Sequence, residues 1–199
     1  MAFNLIKYVW IGCTISIFTI LAIKDPSWIN SYKKINWKLI PINIVIIAVM
    51  IFSLKFLMTI SPEIMGFSIP RLIGMLFKNA PDIPVMNINL LGYDIKYLGV
   101  ILLLLLLTAL PKLAEFEENL FRRGTKNWLD GLARSILFGL VHMLAFVPLG
   151  TAIVLIIAGL FFTYLYFKGG IELSTQGHLQ HNFLLVVVLL IQSVINSFF

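Results

Sequence analysis

At 199 residues, with 60% hydrophobic and 12% charged side chains and a mean hydropathy of +0.98, the chain is too apolar for one water-soluble domain. Its net charge of +6 does not mark nucleic-acid binding, because the Lys and Arg residues punctuate apolar runs instead of forming a stripe with interleaved aromatics. A lone Cys13 offers neither a disulfide framework nor a cysteine-based metal site.

The composition predicts an all-α, polytopic transmembrane helix bundle. Crossing a bilayer takes about 20 apolar residues, and six segments approach that length. They run from Phe3 to Ile23, Leu39 to Ile60, Tyr97 to Phe121, Leu129 to Val147, Leu149 to Phe167 and His178 to Phe198. The first has no small-x-small cleavage site before Lys24, so it reads as a retained anchor. Between the second and third, Ser61 to Lys96 is rich in Pro, Asn and Gly, with an apolar patch from Ile69 to Phe77. It reads as an extramembrane loop holding one short interfacial helix. The chain thus divides into an N-terminal membrane region, 1–96, and a second helix bundle, 97–199.

In the third segment, Pro111 interrupts a run that must continue beyond it to reach the far interface, which places Glu117 and Glu118 in its last turns. Asp130 is the expected N-cap of the fourth helix. Pro148-Leu149-Gly150 turns into the fifth, and Gly169-Gly170 closes it. The chain end lacks a prenylation box, so the chain is not expected to be a lipidated substrate itself. No internal repeat supports a transporter built from paired half-helices. With the N-terminus outside, ten of the 15 Lys and Arg residues fall on the cytoplasmic side, Arg122 and Arg123 among them.

Acids inside an apolar helix are costly and read first as functional. Glu118 and Arg122 stand at i and i+4, close enough to pair, while Glu117 points about 100° away from Glu118, beside Leu120 and Phe121. That division suits one structural ion and one base. Phe138 precedes His142 by one turn, and His178 precedes Asn182 by one turn, where both can donate hydrogen bonds to an oxyanion. A carboxylate, an imidazole to share its water and two fixed donors supply what peptide hydrolysis needs, provided that a polar cavity opens to the cytoplasm.

Glu117-Glu118-x-x-x-Arg122, Phe138-x-x-x-His142 and His178-x-x-x-Asn182 together resemble the three signatures of the CPBP family, the CAAX proteases and bacteriocin-processing (Abi-type) membrane enzymes. The resemblance covers about Pro111 to Phe183. It implies a helical intramembrane endopeptidase cutting a membrane-bound or lipidated peptide substrate near the membrane face. On it, Glu117 with His142 activates water, His178 with Asn182 forms the oxyanion hole, and Glu118, Arg122 and Phe138 support the site. Catalysis is either metal-free or zinc-dependent; Glu117, His142 and His178 are the ligands a zinc ion would take, although no His-Glu-x-x-His helix is present.

Three features depart from the family pattern: a second arginine, Arg123, before Gly124; His181 beside Asn182, competing with His178; and six spans where larger members have eight. Two other readings compete. One is a non-proteolytic scaffold or immunity-type protein that uses the polar cavity to bind a partner. The other makes His142, His178 and His181 axial ligands of a tetrapyrrole, which leaves Glu117, Glu118 and Arg122 without a role. The expected partners are the lipid bilayer and a membrane-bound substrate, not nucleic acid. Abundant Ile, Asn and Lys point to a bacterial plasma membrane or an internal membrane such as a thylakoid.

Overall fold

The computed structural model describes residues 35–68, 98–145 and 147–198, together with 89–90, 93–94 and most of 12–33. The expected first span lies partly, and the expected interfacial helix at Ile69 to Phe77 wholly, outside the described residues. The fold is all-α. In chain order come α1 (Ser27–Lys33), α2 (Ile40–Ile60), α3 (Pro62–Met65), α4 (Leu98–Phe121), α5 (Trp128–Val141) and α6 (Leu149–Phe198). Short 3-10 turns at Trp37–Leu39 and His142–Ala145 precede α2 and follow α5. One antiparallel hairpin, β1 (Asn89–Leu90) and β2 (Tyr93–Asp94), pairs Asn89 with Asp94 and Leu90 with Tyr93.

Among the described residues, three helical stretches are long and apolar enough to cross a membrane: Trp37–Ile60, Trp128–Ala145 and Leu149–Ile191. The last contains both the fifth and the sixth expected segments. Its helical geometry breaks at Gly169 and Gly170, with φ of +71° at Gly170, a conformation that glycine adopts without the Cβ penalty. An N arm (149–168) and a C arm (171–198) therefore meet at the diglycine. The C arm begins earlier than expected and carries Ser174 as well as His178. α4 runs unbroken through Pro111, as its length requires, but its second half holds Lys112, Glu115, Glu117 and Glu118.

Polarity is inverted relative to a soluble protein. On α2 only Asn43 and Met50 are buried, while Val45, Phe52, Phe56 and Ile60 are exposed. Such an apolar exterior belongs against hydrocarbon, while Asn43, Glu118, Arg122, Ser174 and His178 are buried inside. Met50 of α2 packs with Phe121, Phe138, Val154, Phe161 and Phe162, so the N-terminal region shares a core with the rest. A second cluster joins Leu110 and Ala114 of α4 to Leu179 and Val186 of the C arm.

Small residues bring α5 onto the N arm. A Cβ added at Gly139 would lie 2.3 Å from the Ala152 carbonyl oxygen, and Ser135 Oγ lies 3.2 Å from Thr163 Oγ1. Close backbone approach through small and hydroxylated residues is how helices associate where no hydrophobic drive separates them from lipid.

The α4–α5 turn corrects one expectation. The N-cap of α5 is Asn127, whose Oδ1 accepts from the Asp130 backbone N–H at 2.9 Å; Asp130 sits in the first turn and accepts from the Lys126 N–H at 3.0 Å. The Asn127 side chain thus caps the helix while Asp130 reaches back to the residue before the cap, and Asn is as good a cap as Asp. α4 itself ends on left-handed Gly124 (φ +80°), whose N–H donates to Tyr166 Oη at 3.1 Å.

Candidate functional site

The last turns of α4 deliver Glu117, Glu118 and Arg122 against the first turns of the C arm. Glu118 and Arg122 are fully buried, and Arg122 Nε approaches Glu118 Oε2 to 3.8 Å. No hydrogen bond reaches any guanidinium nitrogen among the described residues. The cation instead lies 4.9 Å from the Phe138 ring centre and 6.0 Å from that of Phe162. Gly159 makes room, since a Cβ there would come within 3.2 Å of Arg122 Nη2. Aromatic faces and one carboxylate therefore replace water around the charge.

Glu118 is held from two further directions. His178 Nδ1 is 2.8 Å from its Oε1, and Ser174 Oγ hydrogen-bonds its Oε2. Ser174 also stands 2.8 Å from the Phe162 carbonyl, so its single hydroxyl proton is shared between two acceptors. The opposite edge of the His178 ring faces the other acid, with Nε2 3.4 Å from Glu117 Oε2. That approach is an ion-pair distance without hydrogen-bond geometry, and Glu117 Oε2 is otherwise buried and unpartnered among the described residues. Phe162 stacks on the imidazole at 4.2 Å and 18°, and Phe138 meets it edge-on at 5.6 Å.

The result is one imidazole bridging two carboxylates inside an aromatic box. Its inner edge is anchored to Glu118; its outer edge faces Glu117, whose side chain is 22% exposed. A doubly protonated ring would present an N–H to each carboxylate and, with Arg122, balance both negative charges. A singly protonated ring anchored at Nδ1 presents a lone pair at Nε2. Either form can exchange a proton with the Glu117 side without moving.

The expected residues divide. Glu117, Glu118, Arg122, Phe138 and His178 are brought together. His142 is joined to Glu117 by no hydrogen bond or ion pair among the described residues; its Nδ1 lies 2.6 Å from the Phe138 carbonyl and its ring 4.8 Å from that of Phe138. Glu117 thus meets His178 directly. Asn182 is half-buried one turn beyond His178 and makes no hydrogen bond among the described residues. Glu117, His142 and His178 are not drawn into a metal site: among the described residues no three His, Cys, Asp or Glu side chains are placed to hold an ion. His181 faces Asn43 of α2.

Ser174, Asn43 and Gln180 are polar, fully or almost fully buried, and absent from the sequence expectation. Ser174 lies at i−4 from His178, a spacing that offered a signal; Asn43 lay in an apolar run and offered none.

A cleft of about 710 Å³ lies between α1, α4 and the C arm, lined by Lys33, Lys112, Glu115, Asn119, Arg123 and Glu172 among others. Neither Glu117 nor His178 lines it, although Asn119 and Glu115 flank the acids on α4. Lys112 is tied across it to Asp25 at 2.6 Å. Protein-family models, curated proteins and solved structures were compared with the chain, and none matches it.

Proposed function

We propose that the chain is a multi-pass intramembrane endopeptidase that hydrolyses a peptide bond of a membrane-associated substrate, with its site on the cytoplasmic side. The observation that carries this reading is the buried Glu118–His178–Glu117 array, with Arg122 as its counter-charge. Buried acids and cations are costly in an apolar bundle unless they do chemistry or bind something. The resemblance of the three motifs to CPBP membrane proteases supplies the reaction class.

In the proposed reaction, Glu117 takes a proton from water as its oxygen adds to the scissile carbonyl carbon. The oxyanion that forms is met by N–H donors of the C arm, His178 and Asn182. Collapse of the tetrahedral intermediate breaks the C–N bond, and the proton held at Glu117 passes to the departing amine. Glu118 and Ser174 keep the imidazole oriented while Arg122 offsets the buried negative charge. His142, held by the Phe138 carbonyl, acts through the bound substrate or a water shared with Glu117.

The test is a mass-spectrometric census of protein termini in membranes carrying the native chain or Glu117→Gln at equal abundance. Defined termini present only with the native chain support hydrolysis and name the substrate. Identical censuses sink it.

One observation favours a second reading, a non-proteolytic scaffold of similar architecture. The cleft between α1, α4 and the C arm is lined by neither Glu117, Glu118 nor His178, and its lining of both charge signs suits a protein partner. A phenotype that survives removal of Glu117, His142 and His178 together would select that reading.

A further inference from the structure

Asn43 is the sole buried polar residue of α2, and its hydrogen bonds determine more than packing. Its Nδ2 donates to Gln180 Oε1 at 2.8 Å and to the Leu39 carbonyl at 3.2 Å. A carboxamide nitrogen has two hydrogens, and both are thereby committed. Gln180 fixes the orientation of both amides, since its own Nε2 donates to the Asn36 carbonyl at 3.3 Å. Reversing Asn43 would set its oxygen against two acceptors. Its Oδ1 must therefore accept, and the group it meets is His181 Nδ1 at 3.3 Å.

A neutral imidazole that carries its proton on Nδ1 has a lone pair on Nε2. His181 Nε2 is buried and has no hydrogen-bond partner among the described residues, on a side chain only 1% exposed. His181 and His178 flank one aromatic ring, His178 stacked on Phe162 and His181 edge-on to it at 5.6 Å. Two histidines three residues apart thus have opposite supports: His178 Nδ1 is anchored to a carboxylate of α4, and His181 Nδ1 to an uncharged amide of α2.

We propose that Asn43 is a positioning residue that holds His181 as its Nδ1–H tautomer, making His181 Nε2 a buried acceptor for an N–H or O–H group, such as a peptide amide or a water. In that tautomer His181 cannot serve as an oxyanion donor through Nε2; the donating imidazole of the C arm is then His178, whose Nε2 carries a proton when the ring, with its Nδ1–H held by Glu118, is doubly protonated. The N-terminal region would then complete the site instead of merely anchoring it. The consequence for hydrolysis rests on the peptidase reading above; the tautomer does not.

The experiment uses the full chain in lipid bilayers, with histidine labelled by 15N in the ring, observed by magic-angle-spinning NMR. The His181 signals are those lost in His181→Asn. The expected result is a protonated Nδ1 and an unprotonated Nε2 at neutral pH. Asn43→Leu is expected to remove the acceptor and shift the proton to Nε2. A native His181 ring protonated at Nε2, alone or with Nδ1, overturns the proposal without any Asn43 variant having to fold. The terminus census then tests the consequence: a folded Asn43→Leu protein should give at least tenfold fewer cleaved termini, and native-level cleavage overturns the positioning role. If the native chain itself cleaves nothing while the tautomer is as expected, the peptidase reading fails and the Asn43 assignment stands.

Discussion

The Glu118–Arg122 pair makes the sharpest energetic prediction. Both side chains are without exposure, their charged atoms approach to 3.8 Å, and the guanidinium donates no hydrogen bond among the described residues. Removing one partner leaves the other as an uncompensated buried charge, which costs about 3–5 kcal/mol. For Glu118→Gln the loss should fall at the low end, because a desolvated cation over an aromatic face keeps about 2 kcal/mol of attraction and Arg122 stays over Phe138. Arg122→Met conserves volume but strands Glu118, whose remaining partners are Ser174 and His178. Replacing both removes the charges together, a change that is often close to neutral, leaving about 1–3 kcal/mol for a carboxamide that cannot accept from both Ser174 and His178. The four proteins would be unfolded in one mixed micelle by rising dodecyl sulfate, followed by circular dichroism. Each single variant should lose about 3 kcal/mol or more, and the double variant less than their sum by about 3 kcal/mol or more. Single losses below about 1 kcal/mol, or additivity within about 0.5 kcal/mol, would refute the buried pair.

Three further outcomes follow from particular contacts. Gly139→Ala drives a methyl group into the Ala152 carbonyl and Ile156, backbone that cannot yield unless α5 and the N arm separate; a loss of about 1–3 kcal/mol is expected, read as a lower Tm, whereas Leu137→Ala on the exposed side should shift it little. Burial raises the Tyr32 phenol above its ordinary range, and its hydroxyl bonds the Leu107 carbonyl. The unfolded chain therefore releases this proton first, so stability should fall as pH rises beyond about 10, and Tyr32→Phe should flatten that slope in alkaline unfolding curves. In the terminus census, His178→Gln should cost about 10²-fold or more, as loss of a group acting in proton transfer or oxyanion binding does, and His142→Gln distinctly less. Equal losses would mean that Glu117 works with His142 after all.

Much of the local order was legible in the sequence because helical periodicity and backbone chemistry are local. Glu118 and Arg122 pair because i and i+4 share a face, Phe138 and His142 touch for the same reason, and Gly169-Gly170 breaks α6 because glycine alone tolerates that backbone. The apolar runs marked the helices of the all-α bundle with no knowledge of how they pack. Asp130 as a cap failed by three residues, since Asn127 takes the Asp130 N–H and either residue type serves.

Tertiary structure decided which faces meet. Periodicity places Glu117 about 100° round α4 from Glu118, but only the docking of the C arm turns both acids towards His178. The same docking brings Ser174 to Glu118 across 56 residues and Asn43 to His181 across 138. A sequence specifies each helix through neighbours three and four residues apart. The angle and register at which two helices pack depend on small residues such as Gly139 and Gly159, and on rings such as Phe138 and Phe162, acting across the whole bundle.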